Sequence, residues 1–248
     1  PELPYACTEA FYRPGNMVLS VAGDVTLDQV VAACRRAGLD APPARHTIEP
    51  ALFAPENDPP QKELRFSMPV NKPCFAVGYR EAPVPFGSAR ADMLGELLPE
   101  LICGGLTELY RKLYDEALVN PEFSGETVSV PGACAVVFTG ESEHPRVVAD
   151  LLRAEIARLR RDGVDPELFT LVKNQMYGEM LADVEGVEDA AEAMAAAFLH
   201  GYTLAEEVEA LAALTVSDAN AALQTMLQED QAAYVEIEPQ AAGEEELE

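Results

Sequence analysis

Six prolines crowd into residues 42–60, at positions 42, 43, 50, 55, 59 and 60. Each one fixes φ and removes a backbone donor, so neither a continuous helix nor a central strand can run through this stretch. The chain therefore divides into a short amino-terminal region and a longer carboxy-terminal one. Residues 45–62 are expected to form a linker between residues 1–44 and a domain over residues 63–240.

The first region reads as a strand followed by a helix. Met17-Val18-Leu19-Ser20-Val21-Ala22 is a short β-prone run that stops at Gly23-Asp24. Thr26 is placed to cap a helix reaching about Ala37, with Val30, Val31 and Cys34 on one face and Gly38 at its exit. A glycine between strand and helix invites a nucleotide-binding reading. There is neither a G-x-G-x-x-G nor a Walker lysine, so that reading fails.

Beyond the prolines the order changes. Glu63–Met68 and Cys74–Tyr79 read as strands, the first with one face buried. Two helices follow, from about Ser88 to Ile102 and Thr107 to Leu118, meeting at Gly104-Gly105. Strand patterns then cover Phe123 to Val130 and Ala133 to Gly140, separated by the turn signal Pro131-Gly132. An amphipathic helix spans Pro145 to Arg161, with Val147, Val148, Leu151, Leu152, Ile156 and Leu159 on one broad face. Asp165-Pro166 opens another helix, a further one covers Val187 to Leu199, and a short one spans Leu204 to Leu211. Thr215 and Asp218 have capping-box spacing ahead of a last helix. Tyr234–Ile237 closes as a strand, and residues 241–248 form an acidic tail. The order ββααββ, then helices, then a closing strand, predicts an α+β sandwich of sheet and helices.

Charge narrows the partners. Forty-three acidic against 17 basic residues give a net charge of −26. Nucleic acid and anionic membranes both attract proteins through basic patches, so neither is an expected partner, whereas a basic peptide is compatible. No run approaches the roughly 20 apolar residues of a membrane span. Cys7, Cys34, Cys74, Cys103 and Cys134 are scattered and odd in number, a poor disulfide framework that fits a reducing cytoplasm. The start at Pro1 has no initiator Met and reads as an internal point of a longer protein.

Candidate chemistry is sparse. His46, His144 and His200 are far apart in sequence, so no H-x-x-x-H or H-E-x-x-H pattern exists, and no metal ligands are assigned. No G-x-S-x-G marks a serine nucleophile. Cys103-Gly104-Gly105-Leu106-Thr107 allows either an anion-binding turn or a close approach of two helices, the latter preferred.

Several segments resemble one family in their order and spacing. Phe11-Tyr12-Arg13-Pro14-Gly15-Asn16-Met17 leads through Val18–Ala22 to Gly23-Asp24-Val25. Phe75–Tyr79 follows, then Gly104-Gly105-Leu106-Thr107-Glu108-Leu109-Tyr110-Arg111-Lys112-Leu113-Tyr114-Asp115-Glu116, and Leu214-Thr215-Val216-Ser217-Asp218. Together they resemble the pitrilysin/insulinase-type zinc metallopeptidases, in particular a bacterial subgroup of paired subunits.

That resemblance implies two homologous halves, with zinc on an inverted H-x-x-E-H motif in the first. Residues 1–44 would be the strand-helix tail of that first half, and residues 63–240 the complete, non-catalytic second half. The expected function is to enclose a peptide against a zinc-bearing amino-terminal half. The alternative is an inactive member acting as a partner subunit or scaffold. Active relatives carry an Arg and a Tyr seven residues apart. The positions that align here are Tyr114 and Pro121, so those roles are not transferred and no catalytic residue is assigned. Tyr114 and Phe123 remain as candidate substrate contacts, with the protein core as their other possible place. No cofactor is expected on this chain, with zinc assigned to the missing half.

Overall fold

The computed structural model describes residues 2–39, 62–130 and 132–240. The expected linker, apart from its last residue, and the expected acidic tail lie outside them. The chain runs α1 (Glu2–Phe11), α2 (Leu27–Arg36), β1 (Glu63–Met68), β2 (Cys74–Glu81), α3 (Ala89–Cys103), α4 (Glu108–Asp115), β3 (Ser124–Val130) and β4 (Ala133–Glu141). It continues through α5 (Pro145–Asp162), α6 (Pro166–Ala182), α7 (Val187–His200), α8 (Leu204–Ala213), α9 (Val216–Thr225) and β5 (Ala232–Pro239).

The strands form one sheet in the order β1-β5-β2-β4-β3. Neighbours are antiparallel except β1, which lies parallel to β5. Alternation along the central strands sends Phe75, Val77 and Tyr79, Val136 and Phe138, and Tyr234 into the helix layer, where all are buried. Leu97, Leu98, Leu101 and Ile102 of α3 and Val148, Leu152, Ile156 and Leu159 of α5 complete this core. Each such side chain contributes roughly 1.5–3 kcal/mol by leaving water. The architecture is the expected α+β sandwich.

Local sequence sets the helix boundaries. Thr26, Thr203 and Thr215 each complete a capping box, with Gln29, Glu206 and Asp218 respectively. Asp165 accepts the Glu167 N–H at 2.9 Å, and Gly201 ends α7 in the left-handed region at φ 92°. Pro99 lies inside α3 and has no N–H to offer the Gly95 carbonyl one turn earlier. The Thr127 hydroxyl donates to that carbonyl instead, at 2.6 Å, which ties α3 to the edge strand β3.

Three sequence expectations are corrected. Glu2–Phe11 is helical, although no helix was expected there. Met17–Ala22 is not a strand, because none of the five strands pairs with it and an extended segment becomes a strand only through a ladder. β1 does not bury its apolar set: Phe66 and Met68 are exposed and Leu64 is half-buried. Its helix-side residues are charged instead. The Glu236 carboxylate, 7% exposed, lies 3.5 Å from Arg146 and 3.7 Å from Arg65, and accepts the Tyr234 hydroxyl at 2.9 Å. An ionic and hydrogen-bonded network therefore pins this edge strand where an apolar seam was expected.

Candidate functional site on the open face of the sheet

The helices cover one face of the sheet. The register places Leu64 beside Val235, Phe66 beside Ile237, Val235 beside Ala76 and Val137 beside Gly78 on the other face. These side chains are half-buried or exposed, and Val128 and Val130 of β3 extend the same face to the far edge. The face is thus mainly aliphatic and open. It holds a cavity of about 350 Å3, walled by Ala76, Thr139, Gly140, Val235 and Ile237, with Glu122 and Glu141 at its rim. Asn120 donates to Glu141 at 3.2 Å and holds one of those carboxylates.

The floor of this cavity is built by a close approach. A Cβ at Gly140 would lie 3.0 Å from the Phe123 ring and 3.3 Å from that of Phe75, so a larger residue would require the rings beneath the strand to give by a few tenths of an ångström. The two candidate aromatics consequently part company. Phe123 is 2% exposed and packs on Phe75, ring centres 6.1 Å apart, in the core. Tyr114 is half exposed on α4, stacked on Tyr110 at 6.1 Å. Of the pair, only Tyr114 offers a ring to a molecule outside the protein, and neither lines the cavity.

Nothing at this site resembles a nucleophile or a metal centre. Cys74 lies at the cavity wall, where burial first and the Glu141 charge second push its thiol above the usual range, which disfavours the reactive thiolate. Zinc does not fit the residues present. His144 occupies the N-cap position of α5, while His200 faces Asp92 at 3.6 Å, and no group of three His, Cys, Asp or Glu side chains among the described residues is arranged to hold a metal ion. Gly104-Gly105 is not an anion site either. Thr107 caps α4 and donates to the Gly104 carbonyl at 2.8 Å, and a Cβ at Gly104 would collide with Glu100, whose carboxylate would repel an anion.

The open sheet face thus stands on a domain in which no group among the described residues is arranged to hold a metal ion. The profile of the peptidase M16 inactive domain matches residues 5–176. The chain belongs to that family. M16 peptidases are the pitrilysin/insulinase type, so this is a non-catalytic domain of a zinc peptidase family. The uncharacterized zinc protease YmfH of Bacillus subtilis (strain 168) is 22% identical over 247 residues, covering 97% of this chain and 57% of its own length. An M16-like peptidase structure from Alicyclobacillus acidocaldarius superposes with a TM-score of 0.80 at 24% identity, over 88% of this chain and 53% of that one. The M16 inactive domain from Pseudomonas fluorescens gives 0.66 at 17%, over 89% and 53%. The chain spans about half the length of these relatives.

Sequence reasoning about this M16 domain chose aromatics and passed over the aliphatic wall. The signal for the wall was the period-2 alternation of β2, β4 and β5, which fixes two faces but not which one the helices cover.

Proposed function

We propose that this chain is the non-catalytic half of a zinc-dependent endopeptidase and encloses peptide substrate against a zinc-bearing amino-terminal half. The observation that carries the reading is the open aliphatic sheet face with its 350 Å3 cavity, on a chain of the inactive-domain family in which no group among the described residues is arranged to hold a metal ion. A wall of this kind holds an extended peptide and excludes water from it, which assists a reaction whose proton transfers occur elsewhere. On this reading residues 1–44 complete the preceding half, and residues 63–240 are the whole second half. The five free cysteines fit a reducing cytoplasm, and among the described residues no helix is long and apolar enough to cross a membrane.

Two measurements test the proposal. The coding sequence upstream of Pro1 is expected to encode H-x-x-E-H; its absence there would favour an inactive partner subunit. In the zinc-bearing parent, Tyr114→Phe is expected to lower kcat/KM within roughly tenfold, about 1.4 kcal/mol. A loss of about a thousandfold with the fold intact would give the Tyr114 hydroxyl a direct catalytic role and overturn the assignment.

A further inference from the structure

Beyond the far edge of the sheet, a second concave region forms where three remote segments meet. The turn Val84–Gly87 follows β2, the corner His200–Tyr202 joins α7 to α8, and Val130 ends β3. The first two are interlocked: the Gly87 N–H donates to the His200 carbonyl at 3.0 Å. Gly87 and Gly201 both have positive φ, 78° and 92°. A Cβ on Gly201 would lie 2.6 Å from the Phe86 ring, so this corner closes only on glycine. The lock presents Phe86 outward with 82% of its surface exposed, beside Leu199 at 63% and Val130 at 54%. Between them lies a cavity of about 190 Å3 with Asp92 in its wall.

His200 also lines a second cavity of about 190 Å3 on the other side of the corner. The stems of that cavity are apolar, including Met180, Ala193, Ala197 and Leu204, and its polar groups are Glu96, Asp183, Glu207, His200 and Tyr202. Each cavity is below the size that holds a drug-like molecule and suits one side chain. One is aliphatic and aromatic at its mouth. The other has apolar walls that suit a methylene stem and carboxylates that suit a cationic head.

We propose that this pair of cavities docks a peptide segment carrying an aliphatic side chain next to a lysine or arginine. Charge selects this occupant. Three carboxylates face the second cavity against one histidine, and the whole chain carries −26. A second copy of the chain would meet the cleft with the same negative field, so self-association is opposed over several ångströms by like charge. A basic peptide is drawn in by it, and the exposed ring of Phe86 gains burial on contact. The proposal concerns a surface that touches the open sheet face only at Val130, shares no lining residue with the 350 Å3 cavity there and does not depend on the enclosing function argued above.

The test uses the 248-residue chain itself and the capped peptide acetyl-Gly-Leu-Arg-Gly-amide, followed by heteronuclear NMR. Saturable shifts are expected around residues 84–87 and 199–207. The affinity should weaken several-fold between about 50 and about 300 mM salt. Binding should tighten as pH rises through about 7, where Glu96 ionises amid Asp92 on α3, Asp183 after α6, His200 on α7, Tyr202 in the corner and Glu207 on α8. Phe86→Ala and the double change Glu96→Gln with Glu207→Gln should each weaken binding about fivefold or more. Both alter accessible side chains, and circular dichroism confirms that the fold is kept. The proposal is overturned if no saturable shift appears by about 10 mM peptide. It also fails if the control peptide acetyl-Gly-Leu-Glu-Gly-amide binds equally well, if the shifts map to the cavity between β2, β4 and β5 instead, or if the cleft is buried in a concentration-dependent dimer.

Discussion

The amino-terminal segment and the sheet domain are built from similar amounts of apolar residue per length and use them in opposite ways. In α3 alone, nine residues are buried. Between residues 3 and 39 none is, and eleven large apolar side chains from Leu3 to Leu39 are exposed. A ten-residue helix is marginal in water without tertiary packing, and α1 and α2 are both of that length. α1 and α2 therefore owe little to the core on this chain. Their apolar surface is explained if it packs on the preceding half, as proposed, which would cover Met17–Ala22 and give that extended run the strand neighbours it lacks here.

Truncating one apolar residue in each region separates the two most directly. Leu113 on α4 has no exposed surface, and Leu113→Ala should cost about 2–5 kcal/mol, the lost transfer energy plus a cavity. Leu19 is 63% exposed, and Leu19→Ala should change stability by less than about 0.5 kcal/mol. Urea unfolding of the two variants checks this. Similar losses would mean that the first segment shares the core after all.

A polar pair sharpens the same contrast. Thr127→Val keeps the shape but strands the Gly95 carbonyl that Pro99 cannot serve, and should cost about 1–3 kcal/mol of global stability. Thr26→Val removes the cap that accepts the Gln29 N–H at 3.3 Å. Its cost of about 1 kcal/mol should appear as lost helicity in α2, with the unfolding midpoint of the sheet domain unmoved. An effect of similar size and opposite sign is expected at Ala117. It is exposed and held at φ 54°, where a Cβ is strained, so Ala117→Gly should stabilise the domain by about 1 kcal/mol in the same urea experiment.

The two regions also differ in how far sequence revealed them. Local chemistry was legible throughout: Thr26, Asp165 and the Thr215–Asp218 box mark helix starts that depend only on residues within one turn. The ββααββ order followed from periodicity for the same reason. What failed depended on distant partners. Met17–Ala22 has strand propensity, but pairing decides. β1 showed alternation, yet its place at the edge beside β5 turned its apolar set to the open face. Phe123 and Tyr114 looked alike until the glycine at position 140 admitted one ring to the core. The corner at His200 joins residues more than a hundred positions apart, and no local pattern announces it.

The smallest effect is a pH dependence confined to the helices around that corner. Glu96 keeps an exposed edge, but loss of water to the surrounding walls, then the charges of Glu207 and Asp92, hold its carboxyl up at about 7, with His200 pulling the other way. In the unfolded chain the same group releases its proton near 4.5. Between those values the folded protein binds the extra proton, so stability falls as pH rises from about 4.5 to about 7 and is level above. Solvent screening at the exposed edge keeps the loss below about 1 kcal/mol. It should be felt first where α7 and α8 meet α3, because the other carboxylates facing Glu96 lie there, including Asp183 beyond α6. Hydrogen exchange is therefore expected to quicken in α7 and α8 between about pH 5 and about pH 7.5, after correction for the intrinsic rate, and to stay constant in α1 and α2. Glu96→Gln should remove the change in α7 and α8. An equal pH response in all four helices, or one that persists in Glu96→Gln, would show that the effect does not originate at Glu96 and that the two regions are coupled more tightly than their packing indicates.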